Sequence, residues 1–556
     1  MACDCASSAH THLRPTRRPA RPTSRTPTCG CSRATGAAEM GALRRFAAIL
    51  VADLRERGRG TRFWVAIALV GIATWWCFPA VETGRFAVGF GDDVRGIYSS
   101  AWVGLVLGLM YSSLLSLLGF YVVRGTLVRD FDTRVWQLLV ATPMTRPGYL
   151  LAKWASHMAV FALVMLVGLA VGAVAQLVHA EDRTFNLIEL VKPVLVLALP
   201  SLAVTAFFAV LFDLVPWLRR TAGNVLFFFV WVLVNVSLAN HFDPSKSAWA
   251  TQTWLSDPGG MAMVMRDLGT HLARAMPDVN SHDLSVGMSD TVERLRLFRW
   301  NHWPMRLADL GGRAVWVLLS MACVVALAPM LDWAAARTRG AEAVRGAGAG
   351  RRLAWLDRVL RPLESFASGR VMAAEFKLVL RQRRLWWWLA LLGSWAVQSF
   401  GPPEAVGVVV IVAWMASVDV FSRVMLRERE TLTGPLLFVA AGAVRRLLVA
   451  RAGMAVVLAM VSVAPAALRT GAIDPLAAVA LLMVAGSVAC GGLALSVLFR
   501  NPRPFELLLV VLAYVGVQGQ GPLAVLAHPQ WTLMLHAVAL VASALLLPML
   551  WPRLAR

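Results

Sequence analysis

The chain has 556 residues, 58% of them hydrophobic and only 15% charged, with a formal net charge of +22. That apolar share exceeds the roughly 45–50% of soluble globular chains. Several uncharged runs reach the ~20 residues a helix needs to cross a bilayer, so a soluble protein is excluded and a polytopic membrane protein is expected. No basic stretch interleaved with aromatics sits in a soluble domain, so the charge does not read as a nucleic-acid surface. It reads as arginine gathered in loops on one side of a membrane.

Residues 1–39 are rich in Pro, Arg, Thr and Ser and lack an apolar period, so they read as a disordered basic tail. Cys3, Cys5, Cys29 and Cys31 form two Cys-x-Cys pairs there, whereas structural zinc sites usually space their cysteines by two to four residues and add further ligands. Cys77, Cys323 and Cys490 lie singly in apolar spans, so no disulfide framework is expected. Met40 opens a sensible membrane-protein start, "MGALRRFAAILVADLRERGRGTRFW", which makes the first 39 residues a candidate start-site artefact. No signal peptide with a cleavage site precedes the first span.

A first unit, 40–335, carries apolar spans near 63–80, 97–122, 152–178, 190–214, 224–240 and 312–333, with a long outer loop at 241–308. Within that loop "DPGGMAMVMRDLGTHLARAM" reads as short helices. A linker follows at 336–369; Leu353, Leu356, Leu360 and Leu363 repeat at helical spacing between arginines, a pattern that lies in the membrane interface. Its Gly-rich run is no phosphate cradle, because no strand precedes it. A second unit, 370–556, has spans near 385–400, 403–423, 449–468, 474–499, 504–519 and 529–550. The expected fold is an all-α integral membrane protein of about twelve transmembrane helices.

Loop charge sets an orientation. Arg44, Arg45 and Arg55, the run from Arg124 to Arg146, Arg219 and Arg220, the stretch from Arg337 to Arg384, the run from Arg427 to Arg446, Arg500 and Arg503, and the tail with Arg553 and Arg556 make alternate loops basic. The intervening loops, such as "QSFGPPE" and "AHPQ", are neutral or acidic. Both termini are therefore expected on the cytoplasmic side.

Two loops are alike. "RDFDTRVWQLLVATPMTRPGYLLAKW" begins at Arg129 and "RERETLTGPLLFVAAGAVRRLLVARA" at Arg427, each between the second and third spans of its unit. Laid together without a gap, Arg129 falls on Arg427, Asp130 on Glu428, Asp132 on Glu430 and Thr133 on Thr431. Leu138 and Leu139 fall on Leu436 and Leu437, and Lys153 falls on Arg451. An amphipathic basic helix, "RRFAAILVADLRERGRGTRFW" or "RVMAAEFKLVLRQRRLWWW", opens each unit. The expectation is a duplication into two parallel six-helix repeats with interfacial and loop helices. In this reading Asp130 and Asp132 lie near a helix start, where the dipole favours acids, and offer partners to another protein. Pro143 and Pro147 turn the chain, and Lys153 snorkels at the bilayer surface.

The first loop resembles the acidic-Thr-x-x-x-Leu-Leu-x-(Ala/Ser)-x-Pro-x-(Thr/Ser)-Arg-x-x-x-Leu-x-x-Lys signature of type 2 ABC transporter permeases. The resemblance covers nearly everything from Met40 onward except 241–308. It implies a connecting helix before the first span and a coupling helix after the second, which docks on a separate ATPase subunit. It thereby gives an ATPase-coupling role to Arg129, Asp130, Asp132, Thr133, Leu138, Leu139, Pro143 and Arg146, and to Glu428, Glu430, Thr431, Leu436 and Leu437. The second copy departs from the pattern: Ala-Ala-Gly-Ala replaces Thr-Pro-Met-Thr, and Val444 stands where Arg146 stood. The resemblance further implies an exporter of a bacterial-type inner membrane, with about two ATPase subunits per chain, and ATP and magnesium held by those partners.

The chain itself has no Walker A loop, which needs Gly-Lys-Ser/Thr; its lysines Lys153, Lys192, Lys246 and Lys377 follow Ala152, Val191, Ser245 and Phe376. It is thus not expected to be an enzyme or to hold a cofactor or metal. The alternatives are an ion-coupled secondary transporter and a non-transporting scaffold. For the carrier, Asp419 is the nearest candidate, expected to pair with Arg423, while Asp213 and Asp332 lie at span ends. His241, His271, His282 and His302 in the outer loop lack ligand spacing on one helix face, and Ser112, Ser113 and Ser116 lack a visible base.

Overall fold

The computed structural model describes residues 31–91, 93–133, 135, 144–219, 221–241, 257–280, 284–289, 291–334, 354–383, 385–431, 433, 442–517 and 519–551. Helices occupy each of the twelve expected places. Helix α1 (Cys31–Arg59) reaches back across the expected boundary at residue 40, and α2 (Thr61–Trp76) follows it. The next span is one rod in several pieces: α3 (Ser100–Met110), a π-turn (Tyr111–Leu115), α4 (Ser116–Val123) and α5 (Thr126–Asp132). Then come α6 (Arg146–His179), α7 (Leu187–Leu214) and α8 (Thr221–His241), α9 (Met261–Ala275) in the long loop, and α10 (Leu307–Ala326).

The helices from residue 354 onward follow. They include α11 (Ala354–Leu360), α12 (Ala367–Arg381), α13 (Leu385–Phe400), α14 (Pro403–Ala416), α15 (Val418–Arg423) and α16 (Arg427–Thr431). The last four are α17 (Ala443–Gly471), α18 (Pro475–Phe499), α19 (Arg503–Val517) and α20 (Pro529–Leu550). Among the described residues seven helices are long and apolar enough to cross a membrane, and an eighth is added if the bent pair Pro403–Ala416 and Val418–Arg429 is one span. Helices α2 and α13 are shorter: their 16 residues make about 24 Å of helix, against a hydrocarbon core of about 30 Å.

Local chemistry sets the ends. Thr145 caps α6 with Pro147 in its first turn, Asn186 caps α7 and Asp474 caps α18. The packing is that of a membrane protein, with large apolar side chains outward: Met534, Val538, Val541, Leu545 and Met549 stand exposed along one face of α20. Buried charges face inward. That pattern is stable only where the outside is itself apolar.

The chain is helical as expected, with one small addition. Strands β1 (Val88–Phe90), β2 (Val94–Gly96), β3 (Leu284–Val286) and β4 (Arg296–Phe298) form a sheet in the order β3-β1-β2-β4. Only β2 and β4 are parallel. Three-residue strands are too short to show an alternating pattern, so the sequence is silent about them. The sheet joins the segment after α2 to the 241–308 loop. Trp102 meets Phe298 edge-on at 5.2 Å, and Arg95, fully buried, grips Glu181 through two nitrogens at 3.0 and 2.6 Å.

Candidate functional site: two ionic locks and the contact between units

Helix α1 is amphipathic, yet it buries Asp53. A buried carboxylate must find a cation. Lys153, in the second turn of α6, supplies it: Nζ lies 2.8 Å from Asp53 Oδ1 and 2.8 Å from Asp130 Oδ2. Tyr149 donates to Asp130 at 2.6 Å, and Ser156 donates to Asp53 at 2.7 Å. Burial pushes the Asp53 carboxyl up, but Lys153 and the hydrogen bonds from Lys153 and Ser156 outweigh it and hold the group below its usual range. Arg129 adds an outer layer, 2.5 Å from Glu56 and 3.7 Å from Asp53. One ammonium thereby ties the helix before the first span, the end of the second and the start of the third.

The second unit builds the same junction with different groups. Arg451 on α17 donates through Nη1 to Glu428 Oε2 at 2.7 Å, with Nη2 on the other oxygen, and through Nε to Glu375 Oε1 at 3.0 Å. Arg427 donates to Glu375 Oε2 at 2.8 Å. Glu375 lies on α12 between Ala374 and Phe376, as Asp53 lies on α1. Trp551 is buried beside the Arg451 guanidinium, 5.6 Å from ring centre to carbon, and donates to the Val444 carbonyl at 3.2 Å.

The two units also touch directly. Asn224, in the first turn of α8, donates to Glu506, in the first turn of α19, at 2.7 Å. Further along the same helices, Trp231 meets Tyr514 edge-on at 5.4 Å. Trp231 also donates to Ser116 Oγ at 2.9 Å and the Ser113 carbonyl at 3.2 Å, at the end of the π-turn. Beside them Asp213 accepts from the Gly125 N–H at 2.8 Å and lies 3.5 Å from Arg124. Gly125 takes a left-handed φ of 93°, a conformation that selects glycine.

The expected site residues distribute as follows. Asp130 and Glu428 are buried in the locks rather than offered to another protein, a correction that follows from the cations facing them. Asp130 also sits in the last turn of α5, not the first. There the dipole disfavours an acid, and Lys153 offsets it. Lys153 is 3% exposed and does not snorkel. Thr133 and Thr431 are exposed and bond back to the carbonyls of Arg129 and Arg427. Arg146 is exposed and pairs with Asp332 at 2.5 Å. Leu138, Leu139, Pro143, Leu436 and Leu437 lie outside the described residues, as do the side chains of Asp132 and Glu430.

Asp419 pairs with Arg383 at 2.5 Å, not with Arg423, which leans 3.7 Å from Glu506. Ser112, Ser113 and Ser116 donate to carbonyls of their own helix. His302 contacts Glu189 at 2.8 Å and His271 the Arg299 carbonyl at 3.0 Å; among the described residues no group of three His, Cys, Asp or Glu could hold a metal. Asp53, Glu375, Tyr149 and Ser156 were missed by reasoning from sequence. A lone acid on the apolar side of each opening helix was the available signal.

Comparison with protein-family models, with curated proteins and with solved structures gave no match.

Proposed function

We propose that the chain is the membrane-spanning permease of an ATP-binding-cassette transporter of the type 2 kind, two permease units fused in one chain. It has twelve spans in two parallel six-helix repeats, with both termini cytoplasmic in a bacterial-type inner membrane. Separate ATPase subunits, about two per chain, bind and hydrolyse ATP with magnesium, and the substrate moves outward. The observation that carries this reading is the pair of locks, Asp53–Lys153–Asp130 and Glu375–Arg451–Glu428. Each fastens the end of a second span, where the loop begins, to the helix ahead of a first span and to the root of a third.

A partner pressing on such a loop pushes three helices at once. The load passes through charges that cannot part cheaply, since an orphaned buried charge costs about 3–5 kcal/mol. The contacts Asn224–Glu506 and Trp231–Tyr514 support the repeat: residues at like positions in the two units meet each other, as around a two-fold axis. The acids of the locks stand at span ends. An ion-coupled carrier would need them near mid-membrane.

Two measurements test the reading. Cysteines placed at Ser247 and Ser368 should differ toward an impermeant thiol reagent in intact cells, with only Ser247→Cys labelled. Labelling of Ser368→Cys alone would reverse the topology. Tagged protein purified from its own cells should carry an ATPase subunit, and no ATP turnover should occur without that subunit. A permease that turns over ATP alone would refute the proposal.

A further inference from the structure

A groove between α13 and α17, at the ends away from the second lock, has no part in the transport reading. Pro465 in α17 has no N–H, so the Val461 carbonyl one turn back loses its helical donor. The Trp395 indole on α13 replaces it at 3.1 Å. The next rung is bridged too: Gln398 donates to the Ser462 carbonyl at 3.0 Å and accepts from the Ala466 N–H at 3.2 Å. A helix break is thus splinted by its neighbour. Between break and splint lies a groove of about 570 Å³ lined by Trp395, Ser399, Ala464, Pro465, Leu468 and Arg469.

Arg469 closes one end. Its Nη1 donates to the carbonyls of Gln398 at 3.3 Å and Gly401 at 2.7 Å, and among the described residues it has no carboxylate partner. No other hydrogen bond from its guanidinium is seen among the described residues. From Arg451 to Arg469 is about 27 Å along a helix rising 1.5 Å per residue, close to the thickness of the hydrocarbon core. The guanidinium therefore stands at headgroup level in the leaflet opposite the locks. Val457, Val461 and Leu468 are exposed along the groove face of α17, with exposed Leu392 on α13. An apolar strip leads away from a cation at the membrane surface.

We propose that this groove holds a phospholipid of that leaflet, its phosphate on Arg469 and one acyl chain along Pro465, Val461 and Val457. A guanidinium with free N–H groups matches phosphate oxygens, and the strip matches a chain. The full-length protein, purified in mild detergent, is titrated with a phosphatidylglycerol, with a diacylglycerol of the same chains and with inorganic phosphate. Bound lipid is read by native mass spectrometry. Phosphatidylglycerol should survive detergent exchange, and Arg469→Gln should lower its retention about tenfold. Ala464→Phe fills the groove, keeps Arg469 and should lower retention likewise; it decides the matter if Arg469→Gln fails to fold. Wild-type retention by Ala464→Phe would overturn the proposal. So would equal retention of diacylglycerol, or displacement of the lipid by inorganic phosphate.

Discussion

The two locks solve one electrostatic problem with different chemistry. Lys153 is a point charge between two aspartates, so Tyr149 and Ser156 must supply the remaining donors. Arg451 brings its own planar fork, faces both oxygens of Glu428 and still reaches Glu375 through Nε. The outer contacts differ in the same sense. Arg146 holds Asp332 through an exposed pair, whereas Val444, in the equivalent place, offers only its backbone carbonyl, taken by buried Trp551. The first junction is assembled from several small buried donors. The second concentrates its strength in one buried residue.

Removal of the cations should break the comparison most sharply. Arg451→Met leaves buried Glu428 without its cation, with Glu375 keeping only Arg427, and should cost about 3–5 kcal/mol, read as a fall in thermal unfolding temperature in detergent. Lys153→Met should cost less, because Tyr149 and Ser156 still donate to the two aspartates. A larger loss from Lys153→Met would invert the ranking. A gentler change sharpens the same point. Arg451→Lys keeps the charge but loses the fork and should cost about 1–3 kcal/mol for the acceptors left short. If Arg451→Lys unfolds at the wild-type temperature, the fork does not carry the second lock.

The proposed coupling supplies the next difference. Only the first loop keeps Thr142, Pro143, Thr145 and Arg146, so Asp132→Arg should reduce ATPase association or stimulated turnover more than Glu430→Arg. Equal losses would place both loops on the same footing. The native mass of that complex should show one permease chain with two ATPase subunits, and two permease chains would rule out a fused pair.

The smallest effect concerns pH. The Asp53 carboxyl is held below its ordinary range by Lys153, so the stability it contributes is fully present above the unfolded value of about 3.9. It is lost only as pH falls through the depressed folded value. Unfolding temperature should therefore stay level from neutral pH to about 5 as far as this group is concerned. Asp53→Asn should flatten part of the fall below that. A matching fall in Asp53→Asn would assign the acid sensitivity to other carboxylates.

Helix positions were legible because apolar runs and caps are local: the turn at Thr145-Arg146-Pro147, Asn186 before α7 and Asp474 before α18 each act within one turn. The match of Lys153 to Arg451 and of Asp130 to Glu428 was legible too, because two like loops can be laid side by side. What those residues touch was not. Asp53 and Lys153 are 100 positions apart, and an acid on an amphipathic helix can face water or protein equally well in a string of letters. The same distance hid the sheet, whose β1 and β3 come from opposite ends of the first unit. Hydropathy and loop charge are properties of neighbouring residues, and the sequence by itself determined them. The choice between an acid presented at the surface and an acid buried against a cation depends on which helices pack together, because desolvation and pairing exist only once the chain is folded, and tertiary structure alone decided it.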